Sequence, residues 1–202
     1  MFEGLGSYAT VWVNGTQVGR HAGGLTTFTI DVTDAVHFDR SNVLAVRADH
    51  PSGIRDLPWV CGGCEHAYGF SEGTQPFGIF RPVHLVITSP VRVEPFGVHV
   101  WNDRPDTSGT ATLHVRTEVK NHGTAARVVS IVSRLEDASG QTIAEARREA
   151  SLAPGEVADV THEPLAIAAP RLWSPENPYL YSLRSELLSD GACSTSPSTA
   201  RP

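Results

Sequence analysis

A chain of 202 residues, 40% hydrophobic and 19% charged, has the composition of a folded protein and room for one or two domains with their own cores. Its formal net charge of -6, with no basic cluster, points away from nucleic acid and acidic membrane surfaces as partners. Three cysteines are too few for a disulfide framework, no apolar run reaches the ~20 residues that span a bilayer, and no secretion signal is visible. Neither compartment nor oligomeric state is assigned by these features.

Strand periodicity dominates from the start. Tyr8 to Val13 alternates, with Tyr8, Thr10 and Trp12 on one side and Ala9, Val11 and Val13 on the other. Asn14-Gly15 follows, a dipeptide that accepts the positive φ angles of a type I′ turn, and Gln17-Val18-Gly19 begins the return. Phe28–Val32, Asn42–Asp49 and Val83–Thr88 read as further strands. Between Asp49 and Arg81 lies a long Gly- and Pro-rich stretch carrying Trp59, Tyr68, Phe70 and Phe77. A loop of that length inside a compact domain is functional or disordered, and its aromatics favour the first.

A second domain is expected from about Val91. Within 110–120, Ala111, Leu113, Val115 and Val119 fall on a core face while His114, Arg116, Glu118 and Lys120 fall on a wet one. Short strands follow at Arg127–Leu135, Thr142–Arg148, Val157–His162 and Tyr179–Leu188, the spacing of an antiparallel sandwich. Only Glu145–Ala150 is ambiguous between strand and helix. The expected fold class is all-β, two β-sandwiches in tandem, with domains over 1–90 and 91–190. Residues 191–202 turn abruptly small and polar and read either as non-homologous sequence or as a flexible Ser/Thr/Pro tail.

Two stretches carry a family likeness. Tyr8-Ala9-Thr10-Val11-Trp12-Val13-Asn14-Gly15, followed by Gly19-Arg20-His21-Ala22-Gly23-Gly24 and Phe28, resembles the amino-terminal galactose-binding-like jelly roll of glycoside hydrolase family 2. Leu25 stands where that pattern commonly has an aromatic. Asn42–Arg47 and Gly78-Ile79-Phe80-Arg81-Pro82-Val83 match the next strand and the closing segment of the same domain. Pro170-Arg171-Leu172-Trp173-Ser174-Pro175-Glu176-Asn177-Pro178-Tyr179 resembles the end of the immunoglobulin-like domain that follows it in the family.

The resemblance implies a parent enzyme that hydrolyses O-glycosidic bonds in carbohydrate metabolism, with two glutamates on the strands of a (β/α)₈ barrel as acid/base and nucleophile. The acid/base there follows an asparagine. No Asn-Glu dipeptide occurs in this chain, and no stretch alternates strand and helix. Glu72, Glu94 and Glu163 read as solvated loop carboxylates. The likeness therefore implies a non-catalytic, amino-terminal part of such an enzyme, with the first jelly-roll strands absent before Phe2 and the barrel absent after residue 190. No catalytic residue and no cofactor is assigned, and carbohydrate is the expected partner through the barrel. Two other readings are a free-standing carbohydrate-binding module and a structural tandem sandwich.

Gly69-Phe70-Ser71-Glu72-Gly73 fits the G-x-S-x-G of serine hydrolases, but Gly73, Pro76 and Gly78 forbid the helix that must follow the nucleophile. Cys61-Gly62-Gly63-Cys64 with His66 has half of a thiolate zinc knuckle but lacks a fourth ligand, so free thiols in a packed loop are the favoured reading, ahead of a local disulfide and of zinc, and no metal is assigned. By position, the family likeness implies that Trp59–Gln75 reaches toward the barrel's substrate pocket. Trp59 or Tyr68 would stack on a sugar, and His66, Glu72 and Gln75 would bond its hydroxyls. The alternative is that these aromatics pack the loop against its own sandwich. Trp12 and Trp101 are expected in a core or at a domain interface, and Trp173 at the seam between domains.

An incomplete jelly roll leaves sheet edges and core surface uncovered. The purified chain is therefore expected to be marginally stable or to aggregate. Differential scanning calorimetry checks this, and a sharp, reversible, high-temperature transition contradicts it.

Overall fold

The computed structural model describes residues 1–24, 26–50, 78–103, 109–189, 192–193 and 198–200. It is all-β and antiparallel, and a single 3₁₀ turn at Thr33–Ala35 is the one helical element among the described residues. The chain divides into two compact units, Met1–Val86 and Ile87–Pro202.

The first unit is built on β2 (Tyr8–Val13), which pairs with β3 (Thr16–Ala22) on one side and with β4 (Leu44–Asp49) on the other. The alternation read from the sequence holds: Ala9, Val11 and Val13 are buried and Tyr8, Thr10 and Trp12 face outward. Ala9 and Val11 pack with Phe2, Leu5 and Phe28, and Val18, Ile30 and Val46 close over them. A two-stranded ribbon of β1 (Leu5–Gly6) and β5 (Gly78–Ile79) completes the unit.

The turn between β2 and β3 has φ of 52° at Asn14 and 85° at Gly15, the positive pair that a type I′ hairpin requires. Asn14 does more than permit the turn. Its Nδ2 donates to Ala35 O and Asn42 Oδ1, both at 2.8 Å, and its Oδ1 accepts from Val43 N–H at 2.9 Å. The hairpin tip is thereby tied to the segment that leads into β4.

Phe28–Val32 and Val83–Thr88 are not the continuous strands expected. Phe28 and Val83 each make one isolated bridge, both to Phe2. Downstream of Phe28, Asp31 Oδ1 accepts from Thr33 N–H and Oγ1 and turns the chain into the 3₁₀ element instead of a ladder. Upstream of Val83, Pro82 has no N–H to give a ladder, and Leu85 and Val86 beyond it are exposed.

The second unit is a sandwich of two sheets. In one, β7 (Thr110–Asn121) pairs with β6 (Val91–Asn102) along one edge and with β10 (Val157–Thr161) and β11 (Leu165–Ala168) along the other. In the other sheet β8 (Arg127–Glu136) lies between β9 (Thr142–Leu152) and β12 (Ser182–Ser189). β13 (Ala192–Cys193) and β14 (Ser198–Ala200) both pair with β12. The ambiguous Glu145–Ala150 is strand, within β9.

β6 went unread because Glu94-Pro95-Phe96-Gly97 interrupts its alternation. The structure absorbs those four residues as a bulge between Val93 and Val98. Phe96 takes a φ of 61°, and a Cβ on Gly97 would stand 2.8 Å from Glu94 O, so only glycine fits there. Glu94 is not solvated as expected: its Oε1 is 3.5 Å from both Arg92 Nε and His122 Nε2, and its side chain is largely buried.

Both sheets contribute to two apolar clusters. Val91, Val119, Val129, Ile131, Leu152, Val160 and Leu187 form one; Val115, Leu135, Ala146, Leu165 and Leu183 form the other. On β7, β8 and β12 the residue lying between the two clusters is polar: Thr117, Ser133 and Ser185, all buried. Ser133 Oγ lies 2.9 Å from Ser185 Oγ and 3.3 Å from Nε2 of His162, which is 3% exposed. Burial, and then the charge of Arg148, holds the His162 imidazole below its ordinary value of 6.5, so the folded state favours its neutral form. Its contribution to stability is complete above 6.5 and is lost as pH falls from there through the lowered folded value. Thermal unfolding of the wild type should fall across that window more steeply than that of His162→Gln; parallel pH profiles would contradict this.

Candidate functional site

The outward row of β2 floors an open concavity of about 500 Å³ in the first unit, lined by Tyr8, Thr10, Trp12, Gln17, Arg20 and Arg47 among others. Strand register assembles it. Thr10 stands opposite Arg20 of β3 and Arg47 of β4, so an arginine flanks it on either side of the same face. Trp12 stands opposite Gln17 and Ala45, and Tyr8 opposite Ala22 and Asp49. The bulge between Val11 and Trp12 brings Gln17, rather than Val18, opposite the indole.

Arg47 Nε donates to Asp49 Oδ2 at 2.7 Å, which fixes that guanidinium along the edge strand. Arg20 is exposed, with no carboxylate within ion-pair distance among the described residues. His21 also reaches the concavity, but its ring belongs to a stack: it lies 3.9 Å from Phe28, within 10° of coplanar, and Phe28 lies 4.9 Å from Phe2. Burial lowers the His21 pKa, so this imidazole is a neutral, packed wall.

None of the described lining residues is an acid. The concavity offers aromatic surface, amide and hydroxyl groups and two guanidinium groups. That set suits a polar, ring-shaped ligand, held by stacking and by donated hydrogen bonds. Among the described residues it holds no carboxylate pair for general acid and nucleophile, and Glu94 and Glu163 belong to the second unit. Trp12, expected in a core or at a domain interface, is not in the core: it is a partly exposed wall of this face.

Trp59, His66, Tyr68, Glu72 and Gln75, read as sugar contacts, lie outside the described residues, as do Cys61, Cys64 and the Gly69–Gly73 motif. Among the described residues no group of three or more His, Cys, Asp or Glu side chains could hold a metal ion. The concavity itself went unread as a site, although its row Tyr8, Thr10 and Trp12 is plain in the alternation. Its two arginines come from other strands, 10 and 37 residues from Thr10 in sequence (positions 20 and 47), and only the register puts them beside it.

Residues 92–200 match the family model described as glycosyl hydrolases family 2. The chain belongs to that family. A β-galactosidase of Bacteroides ovatus is 30% identical over 192 residues, covering 95% of this chain and 21% of its own length. A β-glucuronidase of Bacteroides fragilis is 30% identical over 200 residues, covering 94% of this chain and 26% of its own. A family 2 member from Bacteroides cellulosilyticus superposes with a TM-score of 0.80 at 30% identity, over 99% of this chain and 25% of that one. The β-glucuronidase 2 of Bacteroides uniformis, solved covalently bound to cyclophellitol-6-carboxylate aziridine, gives 0.82 at 25% identity, over 99% and 23%. The family 2 chain described here thus spans between about a sixth and about a quarter of the length of the curated relatives it matches.

Proposed function

We propose that this chain is the accessory, carbohydrate-facing part of a family 2 glycosidase: it contacts sugar but does not itself cleave the glycosidic bond. The reading rests most on the concavity over β2, which Trp12, Gln17, Thr10, Arg20 and Arg47 line, with no acid among the described lining residues. A sugar ring has an apolar C–H face for the indole and equatorial hydroxyls for the amide and guanidinium groups. The hydrolytic glutamates implied by the family belong, on this reading, to the part of the relatives' length that this chain does not span. In sequence the Trp59–Gln75 segment is the second candidate contact, reaching toward the substrate pocket of the barrel.

Isothermal titration of the purified chain with β-linked galacto- and glucurono-disaccharides tests the reading. Weak binding is expected, roughly tenfold weaker in Trp12→Ala and in Arg20→Ala, by loss of stacking and of a charged donor. Binding that neither substitution alters, or no heat with any of the sugars, would contradict it.

A further inference from the structure

The second unit carries a flat aromatic platform of its own, on β6 and β7. On β6, Val100 points inward and packs on the apolar cluster around Val115, so its neighbour Trp101 must point outward. Trp101 is 47% exposed. The register sets it opposite His114 of β7, and the indole and imidazole stack with centroids 5.2 Å apart and planes within 10°. One face of the indole is thereby supported by a second ring.

The support is itself held. His114 Nε2–H donates to Asp103 Oδ2 at 2.8 Å, and Asp103 N–H donates to Thr112 O at 2.9 Å, extending the ladder past the end of β6. Trp101 and His114 therefore sit on paired strands, and Asp103, one residue beyond β6, is tied to both by these bonds and the ladder. His99, two residues before Trp101 and exposed, presents a further polar group on the same face of β6. The Asp103 side chain is 65% exposed, with acceptor capacity left over after its bond to His114.

An exposed indole braced from below is an unusual use of a tryptophan, which a folding core would bury. A pyranose matches what is presented. Its axial C–H groups carry partial positive charge and suit the negative face of the indole, while hydroxyls at the ring edge can donate to Asp103 and bond His99. We propose that Trp101, with Asp103 and His99 at its rim, is a second carbohydrate-binding site, distinct from the concavity over β2, which takes one pyranose ring of a glycan. The choice of a sugar as occupant rests on the carbohydrate-facing reading above. The placement of the site rests on the constellation alone.

Its test is a proton–nitrogen NMR titration of the full chain with cellohexaose, xylohexaose and β-1,4-galactotetraose, reading the indole N–H signals of Trp101 and Trp12 separately. The expected result is a saturable shift of the Trp101 signal with at least one of the three, weakened roughly tenfold in Asp103→Ala and still present in Trp12→Ala. Trp101→Phe, which keeps a ring on the same strand, should retain saturable shifts of the backbone N–H signals of His99 and Asp103 in the same titration, and Trp101→Ala should lose them. A shift confined to Trp12 would overturn this proposal and leave the carbohydrate-facing reading standing. No shift of either signal with any of the sugars would overturn both. Concentration-dependent self-association that Trp101→Ala abolishes would show that the platform serves a second copy of the chain, and would also overturn it.

Discussion

Burial of Ala9 and Val11 against Phe2, Leu5 and Phe28 decides which way β2 faces, and the remainder of the first unit follows from that facing. Successive side chains on a strand point to opposite sides, so once the apolar row is committed inward, Tyr8, Thr10 and Trp12 have nowhere to go but outward. The Asn14-Gly15 turn then fixes the pairing with β3, and the Asn14 side chain, bonded to Asn42 and Val43, fixes the approach of β4. Two flanking strands held in register are what bring Arg20 and Arg47 to either side of Thr10. A one-residue slip of either partner would turn its arginine to the other face.

The second unit uses the same rule with a different interior. Two apolar clusters are separated by Thr117, Ser133, Ser185 and His162, so its strands are apolar, polar and apolar again along their inward rows. Hydrogen bonding among Ser133, Ser185 and the imidazole offsets the cost of placing polar atoms there. Such a layer ties strands from both sheets to one relative position, since a hydrogen bond is directional and apolar packing is not. The outward rows are then free to carry chemistry: Trp101 over His114 on β6 and β7, and the Arg134–Glu145 and Arg134–Glu186 pairs on β8, β9 and β12.

Where alternation is clean, the sequence is readable. β2, the I′ turn, β7, β8 and β10 fall within a residue or two of their expected bounds, and in β2 and most of β7 burial alternates with a period of two. The failures have local physical causes. Phe28–Val32 has the composition of a strand, but an aspartate-bonded turn removes its tail; Val83–Thr88 follows a proline that cannot join a ladder. β6 was hidden by Pro95 and Gly97, which a bulge accommodates at the cost of the pattern a reader relies on. The concavity was half legible. Its aromatic row lies within one strand, whereas its charge comes from residues that only pairing brings near. The Trp101 platform was less legible still, because a single tryptophan in a sequence looks like core until its neighbour Val100 is seen to occupy that role.

The chain belongs to glycosyl hydrolase family 2, and the proposal made for it is a division of labour: contact here, cleavage elsewhere. Cleavage elsewhere can be checked by incubating the purified chain with 4-nitrophenyl β-galactoside and 4-nitrophenyl β-glucuronide from acid to neutral pH and following nitrophenol release. Release no faster than in buffer alone is expected for both substrates. Turnover that saturates with substrate and disappears on replacing a carboxylate of this chain with its amide would contradict it.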